Sequence, residues 1–439
     1  MSDLVDLPYR TQRARLEAGT AQIGDIWRAT QDRIARRDGR LGAVVSLAQG
    51  GPDTSAGLPI GIKDIIDVDG FPTRCGSHAH DAAGGEADAV TALRRAGLTP
   101  MAKLATYEYA LTGPAYDQPN PPARNPWNPD HITGGSSSGS AAAVAGGLFR
   151  AALGSDTGGS IRAPAAYCGI VGLKPTHGLV PVAGCFPLSP SLDVIGPLAA
   201  CVEDAALVLE ALAPESRATV DLTAGVAGLR IAYARDWFAD DPACDPAVVT
   251  AMDDTAALLS MLGARIELIT LPAYAPLEAA GTVILQAEAW EVHRDRLREN
   301  WDRYGVDARR NLITGAVLTG AHLRRARAVA QGFRRQIDRY LGLHAAILTP
   351  TTLSPAPKFS DFDDGPVWTA MRTLPFNMSG HPAISVPCGF ADNGLPLGAQ
   401  LVARPQGEAT LCRIAQAIES HSAHTARPAI EAEPISLPE

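Results

Sequence analysis

Hydrophobic and polar positions along this chain follow a helical period in some segments and form strand-like runs in others. Residues 24–38 place Ile26 and Ile34 on one face and charged side chains on the other, which predicts an amphipathic helix. Apolar runs at 43–47 and 58–68 are typical of buried strands. Further helices are predicted at 87–97, 202–212, 246–262 and 408–419, and further strands at 99–106, 229–234, 264–271, 345–351, 383–389 and 397–403. Because helices and strands alternate throughout, we expect an α/β fold.

Three segments depart from this alternation. From 114 to 132 the chain is rich in Pro and Asn, which predicts an extended loop because proline cannot continue a helix. From 134 to 172 it is a dense mixture of Gly, Ala and Ser, which lets backbone approach backbone or a ligand closely. Within that mixture we expect a helix that begins near Ser140. The tail at 425–439 is predicted to be loosely attached.

The composition narrows the class of protein. Of 439 residues, 46% are hydrophobic and 19% are charged, as in a globular protein. A net charge of −9 offers no basic field for phosphates, so we expect no direct binding to nucleic acid or to an anionic membrane. No apolar run reaches the ~20 residues of a spanning helix, and Asp3 and Asp6 stand where a signal peptide would be apolar, so we expect a cytoplasmic protein. The seven cysteines form no CxxC pair, which argues against a zinc site and for reduced thiols.

Lys63 stands inside the apolar run LPIGIKDIIDV, in a predicted buried strand. Burial disfavours the charged ammonium group, so such a lysine either pairs with an acid or has a lowered pKa. Pairing with the adjacent Asp64 is the simpler interpretation. The Lys-Asp dipeptide alone does not decide between the two.

A cluster of serines is the second candidate for chemistry. Four of them lie in GGSSSGS at 134–140, and Ser160 ends a second glycine turn, GSDTGGS. Neither segment supplies the Gly-Lys-Ser/Thr of a phosphate-binding loop. Residues 135–139 match the G-x-S-x-G elbow of α/β-hydrolases, with Ser137 as nucleophile, but a predicted loop precedes them where that motif needs a strand. Capping of a helix N-terminus is the purely structural interpretation.

Together these residues fit acyl transfer. That chemistry requires a nucleophilic hydroxyl, a base for its proton, and hydrogen-bond donors near the developing oxyanion. A neutral buried lysine can be the base, as in Ser-Lys variants of the serine triad. Lys63, the glycine-flanked serines and the unhindered N–H groups around Ser160 would supply all three parts.

Several motifs, occurring in order, resemble those of the amidase signature family. They are LPIGIKDIIDVDGFPT (58–73), RNPWN with GGSSSGSAAAVAGG (124–147), ALGSDTGGSIRAPAAYCGIVGLKPTHG (152–178), and TLPFNMSGHPAISVPCG with GLPLGAQLVA (373–403). The resemblance covers about 58–200 and 345–420. It implies one domain over 1–439, built on a large mixed twisted β-sheet flanked by helices on both sides, with a variable substrate region at about 205–340.

The resemblance also implies roles for individual residues. Ser160 matches the nucleophile, Ser136 the bridging serine that relays protons, and Lys63 the base. The peptide bond between Gly135 and Ser136 is implied to be cis. The oxyanion hole is implied to consist of the backbone N–H groups of Thr157, Gly158, Gly159 and Ser160. The side chains implied to support the site are Ser137, Asp156 and Arg162.

One stretch departs from the family pattern. The segment AKLATYEYA (102–110) has Ala105 where numerous members have Asn. We therefore consider Tyr107, Glu108 and Tyr109 as candidates for the wall of the substrate pocket. Ordinary core aromatics beside one satisfied acid are the alternative interpretation.

The family contains several functional classes. They include hydrolases of small amides and the catalytic A subunit of the glutamine-dependent transfer-RNA amidotransferase. Because the proline-rich loop before GGSSSGS differs from the form associated with that amidotransferase, we expect a stand-alone hydrolase of a small-molecule amide, and the amidotransferase function is the alternative. A non-catalytic relative is disfavoured because an idle buried lysine would be a cost without compensation. The family's frequent dimers suggest a homodimer, and no metal or organic cofactor is implied.

Overall fold

The chain folds around one large β-sheet. The computed structural model describes residues 3–48, 57–83, 85–111, 113–365, 368–422 and 428, so almost all of the tail at 425–439 lies outside the described residues. Among the described residues, eleven strands form the main sheet and two short strands pair separately. The α/β expectation from the sequence is therefore confirmed.

The main sheet is mixed. In chain order the strands are β1 Val44–Leu47, β2 Leu58–Lys63, β3 Pro72–Thr73, β4 Ala82–Ala83, β5 Leu98–Leu104, β6 Ala151–Asp156, β7 Val171–Lys174, β8 Val194–Ala199, β9 Arg230–Tyr233, β10 Arg265–Leu268, β11 Ala346–Pro350, β12 Ala383–Phe390 and β13 Pro396–Val402. Their order is β1-β5-β2-β6-β8-β7-β12-β13-β11-β9-β10, with β3 paired to β4. Strand β2 runs parallel to β5 and β6, and β9 runs parallel to β10 and β11, whereas the other neighbours are antiparallel.

Helices connect and cover these strands. They are α1 Asp3–Asp6, α2 Tyr9–Glu17, α3 Ile23–Leu41, α4 Asp88–Arg95, α5 Ser138–Ala145, α6 Arg162–Cys168, α7 Val202–Leu212, α8 Pro246–Met261, α9 Tyr274–Glu299, α10 Val306–Thr314, α11 Gly320–Leu341, α12 Leu374–Met378 and α13 Glu408–His421. Short 3₁₀ turns lie at Pro214–Ser216, Arg235–Trp237, Trp301–Arg303, Gly315–Val317 and Phe359–Phe362.

The sheet is buried on both faces. Along β6, Ala151 and Leu153 belong to one apolar core, whereas Ala152 between them belongs to another. Successive side chains of a strand point to opposite faces. The first core contains residues of α4, α7 and α13, and the second contains residues of α3 and α5. Helices therefore flank the sheet on both sides.

The Gly/Ala/Ser segment is explained by close packing. All eight residues of α5 are buried, and the helix packs against β2, β5 and β6. A Cβ on Gly139 would overlap the backbone of Ala105 and Ala43. Small residues are therefore needed here because the helix lies almost on the backbone of its neighbours.

In and just after the Gly/Ala/Ser segment, the pattern of hydrophobic residues did not predict the strands that the structure contains. Strands β6 and β7 were not predicted, and neither was β8, which lies between them in the sheet. Residues such as Gly154 and Ala152 lack the bulky β-branched signal of ordinary strands, because helices press on the sheet at this point. The other predicted strands are present, although β2 ends at Lys63 and not at 68, and α7 has the predicted bounds.

No helix in the part of the chain that the structure describes combines the length and apolar character needed to cross a bilayer.

Candidate active site

Lys63 is the last residue of β2 and has no exposed surface. Its Nζ atom donates hydrogen bonds to Ser136 Oγ at 2.7 Å and to Ser155 Oγ at 2.8 Å. Burial lowers the pKa of Lys63 to about 7, outweighing the opposite effect of nearby acidic groups. Near neutral pH much of this lysine is therefore uncharged, which is the state that a proton acceptor needs.

The simpler interpretation of Lys63 does not hold. Asp64 is paired instead with Lys103, whose Nζ lies 3.0 Å from Asp64 Oδ1. Both partners of that ion pair are buried. Lys63 consequently has two hydroxyl groups, and no carboxylate, as hydrogen-bond partners among the described residues.

Ser136 lies in the turn that leads into α5 and is buried. The peptide bond between Gly135 and Ser136 is cis, the configuration that the resemblance implies. The carbonyl of Ser136 accepts a hydrogen bond from the N–H of Tyr107 at 3.1 Å. A Cβ on Gly135 would overlap the Tyr107 ring, so glycine allows that ring to lie directly against the turn.

Ser160 lies in the turn between β6 and α6 and is half-buried. It lines the same cavity as Ser136. Its hydroxyl forms no hydrogen bond with another described residue, which leaves the oxygen accessible to a substrate from the cavity. Contacts between catalytic groups commonly tighten only when substrate binds.

The turn that carries Ser160 lies beside the cavity with its backbone N–H groups. Gly158, Gly159 and Ser160 line the cavity, whereas Thr157 is not among the lining residues. The N–H of Gly159 donates to Asp156 Oδ1 at 2.8 Å, so it holds the turn and is already engaged. The N–H groups of Gly158 and Ser160 have no such partner among the described residues. These two are free to serve as oxyanion donors, and the set of four N–H groups implied by the resemblance stays a prediction.

Asp156 and Arg162 form a buried ion pair beneath this turn. Arg162 Nη2 lies 2.9 Å from Asp156 Oδ1, and neither side chain is exposed. The guanidinium also donates to Gln400 Oε1 and Asn377 Oδ1, each at 2.6 Å. Burial raises the pKa of Asp156, but Arg162 and further hydrogen bonds outweigh that effect and hold the pKa well below its usual range. The carboxylate therefore stays ionised and fixes the turn.

Two further acceptors at the site were missed by the sequence analysis. Ser155, in the quoted motif GSDTGGS, is the second partner of Lys63. Asp193 accepts a hydrogen bond from Thr157 Oγ1 at 2.6 Å, and burial raises the pKa of this carboxyl to about 6. Ser155 could have been found from its place in the motif, but nothing near Asp193 in the sequence indicates its position.

The cavity above the two serines has a volume of about 230 Å³. Its described lining residues are Tyr107, Leu111, Gly113, Ile132, Gly134, Gly135, Ser136, Gly158, Gly159, Ser160, Ala163, Tyr167, Asn311, Phe362, Trp368, Thr369 and Met371. None of these described residues carries a charge. The wall is therefore mostly aromatic and apolar, with a few neutral polar groups.

The structure separates the three candidates for the pocket wall. Tyr107 lines the cavity, whereas Glu108 and Tyr109 do not. Glu108 is buried and accepts hydrogen bonds from Ser77 Oγ and from the N–H of Gly305. Tyr109 stacks on Tyr304 within an aromatic cluster. For Glu108 and Tyr109 the core interpretation is correct, because their side chains contact other parts of the protein and not the cavity.

The remaining alternatives from the sequence can be judged from the same geometry. Ser137 is fully buried, and its Oγ donates to the carbonyl of Ser155 at 3.2 Å. It supports β6 and does not line the cavity, so the elbow interpretation fails. Among the described residues, no group of three or more His, Cys, Asp or Glu side chains is arranged to hold a metal ion.

Comparisons with known proteins agree on the family. A family model described as Amidase matches residues 31–412. The A subunit of glutamyl-tRNA(Gln) amidotransferase from Lysinibacillus sphaericus is 34% identical over 465 aligned positions, covering 93% of this chain and 94% of the relative.

Solved structures show the same similarity. The A subunit of glutamyl-tRNA(Gln) amidotransferase from Thermotoga maritima superposes with a TM-score of 0.80 and 31% identity, over 94% of this chain and 95% of that chain. A chain from a vestigial protein complex connected with the origins of an s-triazine catabolic enzyme has a TM-score of 0.85 and 28% identity, over 97% and 100%. The matched family model, the coverage and the fold together show that this chain belongs to the amidase signature family.

Proposed function

We propose that this chain hydrolyses the C–N bond of an amide through an acyl-enzyme on Ser160, with Ser136 as proton relay and Lys63 as base. The observation that carries this proposal is the 2.7 Å hydrogen bond between Lys63 Nζ and Ser136 Oγ, made by a lysine whose pKa is lowered to about 7. Ser136 also lines the cavity with Ser160, so a proton could pass from the cavity to the buried amine.

The first half of the reaction forms the acyl-enzyme. Ser160 Oγ attacks the carbonyl carbon while its proton moves to Ser136 Oγ, and Ser136 passes its own proton to neutral Lys63. The N–H groups of Gly158 and Ser160 stabilise the oxyanion. The relay then runs in reverse and protonates the nitrogen, so the C–N bond breaks and the amine leaves.

The second half releases the acid. Water attacks the ester on Ser160 and gives a proton to the same relay. The C–O bond to Ser160 breaks, and the serine regains its proton. One base thus serves both halves of the reaction, as microscopic reversibility allows.

The comparisons favour one assignment of the substrate. The curated relatives with 33–36% identity are A subunits of glutamyl-tRNA(Gln) amidotransferase, and the chain covers 90% or more of their length. They support the amidotransferase function, our alternative from the sequence, better than the stand-alone hydrolase. In that function the substrate would be glutamine, and partner subunits would be required.

The cavity favours the other assignment. Free glutamine carries an ammonium and a carboxylate, and burying either group without a counter-charge is costly. The described lining residues contain no charged side chain. This observation supports a neutral small amide as the substrate.

One experiment tests the function and separates the two assignments. Release of ammonia or amine would be measured from glutamine and from neutral aliphatic and aryl amides, with the purified chain alone. We expect turnover of a neutral amide by the wild type and a loss of at least about 10³-fold in Ser160→Ala. Light scattering on the same sample would show whether the chain forms the suggested homodimer.

The outcomes are distinct. Turnover of glutamine only after the other amidotransferase subunits are added would establish the amidotransferase function. Retention of near-normal turnover by Lys63→Ala would exclude Lys63 as the base. Equal turnover by wild type and Ser160→Ala would overturn the mechanism.

A further inference from the structure

Asp193 immediately precedes β8 and is held by neutral donors. Its carboxylate accepts hydrogen bonds from Thr157 Oγ1 at 2.6 Å and from the N–H groups of Leu188 and Ser189 at 2.9 and 3.0 Å. A hydroxyl group and two peptide groups carry no charge. Among the described residues, no cationic side chain forms an ion pair with this carboxylate. Its hydrogen bonds are therefore satisfied, but its negative charge is not neutralised.

A second, smaller cavity connects Asp193 with the surroundings of Lys63. Ser155 accepts a hydrogen bond from Lys63 Nζ at 2.8 Å. The same serine lines this cavity together with Thr157 and Asp193. The cavity has a volume of about 10 Å³, which leaves room for about one water molecule. Burial lowers the pKa of Lys63, and the charge of Asp193 is among those that oppose this effect. The two groups therefore interact across a space that holds too little water to screen them strongly.

The other acidic groups that act on the lysine are uncharged or paired. They are Cys185, Asp156 and Cys75. Burial raises the pKa of Cys185 to about 12 and holds that of Cys75 well above its usual value, so both thiols are neutral near pH 7. Asp156 is ionised, but Arg162 lies 2.9 Å away and balances its charge. Among these groups, Asp193 is the one that supplies an unpaired negative charge.

Asp193 is ionised under the conditions in which the base would work. Burial raises its pKa to about 6, although its hydrogen bonds lower it, so most of the carboxyl is ionised at pH 7. Glu288 on α9 adds a small further increase, and its own charge is paired with Arg327 at 3.2 Å. Cys185 faces Asp193 as a neutral thiol. The carboxylate is thus available to stabilise a positive charge on Lys63.

We propose that Asp193 is a positioning residue that acts through Lys63: its carboxylate stabilises the ammonium group that forms when Lys63 accepts the proton of Ser136. Ser136 takes that proton back when the relay runs in reverse, and Asp193 stays ionised throughout. The attraction arises only once Lys63 is charged, so it lowers the barrier and does not strengthen substrate binding. This inference rests on the proposed hydrolysis, because it assigns a further residue to that same reaction.

Asp193→Asn is the decisive variant. It removes the charge and keeps the shape. Its Oδ1 can accept from the N–H groups of Leu188 and Ser189, while its Nδ2 donates to Thr157 Oγ1. We expect the pKa of Lys63 to fall by about half a unit or more, because an opposite charge nearby favours the charged form of a lysine.

The rate should change in a pattern that depends on pH. Above pH 8, kcat/KM of Asp193→Asn should be about three- to tenfold below wild type, because a less basic amine is a weaker proton acceptor. Near pH 5 the wild-type carboxyl is protonated, so the two proteins should agree within about threefold. A purely structural role of Asp193 would lower the rate at every pH by the same factor.

The pKa of Lys63 can be measured without any turnover. The chain contains four lysines, Lys63, Lys103, Lys174 and Lys358. Lysine labelled with ¹³C at Cε therefore gives few NMR signals, and the signal that is lost in Lys63→Met identifies the base. Its chemical shift would be followed from pH 5 to 10 in wild type and in each variant.

Two controls separate charge from structure. Asp193→Glu and Asp193→Gln share a longer side chain and differ in charge, so the pKa of Lys63 should be lower in the Gln variant, even if Asp193→Asn does not fold. Asp38→Asn is the matched control. Asp38 is half-buried and accepts from the consecutive N–H groups of Ala43 and Val44, but it is not among the main charges that act on Lys63. This variant should keep the wild-type pKa and pH profile.

The results separate failure of the inference from failure of the proposed function. If Asp193→Asn leaves the pKa of Lys63 unchanged, or if Asp38→Asn lowers it equally, the inference is overturned whatever the turnover. If the pKa falls but kcat/KM equals that of wild type at every pH, the role of Asp193 in the reaction is overturned and the function stands. If the pKa falls but wild type hydrolyses no amide, the interaction between Asp193 and Lys63 holds and the proposed hydrolysis is wrong.

Discussion

At the scale of single residues, the proposed chemistry depends on a lysine that is kept from ionising fully. Lys63 donates to two serine hydroxyls and is completely buried, and this burial lowers its pKa to about 7. An ion pair with Asp64 would instead have favoured the charged form, but Lys103 takes that partner. The neighbouring pair thus leaves Lys63 without a carboxylate partner, as the proposed base requires.

The lowered pKa predicts the pH dependence of hydrolysis. In the proposed mechanism neutral Lys63 is the active form, so kcat/KM should fall about tenfold for each pH unit below the pKa of about 7 and level off above it. The measurement is kcat/KM of the preferred amide from pH 5 to 9. Lys63→Arg, which stays protonated over this range, should be inactive throughout. A rate that is constant from pH 5 to 9 would contradict Lys63 as the base.

At the scale of elements, helix α5 can lie close against the sheet because its residues are small. The turn that precedes the helix is thereby held beside the sheet. All eight residues of the helix are buried, and Gly139 lies against the backbone of Ala105. The turn just before α5 holds Ser136, and β2 beside it ends at Lys63. The close approach of α5 to the sheet is consequently what brings the serine within reach of the lysine.

A pair of glycine substitutions tests this packing. Gly139→Ala should destabilise the protein by about 1–3 kcal/mol or more, because the added Cβ would overlap backbone that cannot yield easily. Gly332→Ala, within α11, meets nothing within 4 Å and should stabilise by about 0.5–1 kcal/mol. Denaturant unfolding of both variants against wild type provides the comparison. Equal changes in the free energy of unfolding would show that α5 does not pack this closely against the sheet.

At the scale of the whole molecule, the buried Arg162 joins distant parts of the chain. It pairs with Asp156, and it also donates to the carbonyl of Thr373, to Asn377 and to Gln400, more than 200 residues away. Asn377 in turn donates to Asp156 Oδ1 at 2.8 Å. The turn that carries Ser160 is therefore held by the C-terminal part of the sheet as well as by its own strand.

Breaking this network should be costly. Asp156→Asn leaves Arg162 buried without its charge partner, so we expect a loss of about 3–5 kcal/mol in the free energy of unfolding. Activity should fall as well, because Gly159 loses its carboxylate acceptor. The control is Glu267→Gln in the half-exposed pair with Arg230, where solvent screens the charges, so the loss should be far smaller. A comparable small loss in both variants would mean that the buried pair does not hold the turn.

The sequence identified candidate residues where a family motif and a residue type suited to acyl transfer occur at the same position. Lys63, Ser136 and Ser160 were singled out by residue type and by resemblance, and the structure brings Lys63 to Ser136 and places Ser136 and Ser160 on one cavity. Helices α3, α4, α7, α8 and α13 and the outer strands followed from periodicity. Strand β6 did not, because its small residues are selected by packing against helices, which no local pattern reports. In β8, Gly196 and Pro197 interrupt the apolar run that would indicate a strand.

By itself, the sequence determined the α/β class, the family and the types of residue available for acyl transfer, since these depend on local periodicity and ordered motifs. Only the tertiary structure decided which groups meet. It paired Asp64 with Lys103, turned Glu108 towards α10 and placed Asn311 at the cavity. The reason is physical: desolvation, charge pairing and cavity shape arise from residues far apart in the chain, and they exist only once the chain is folded.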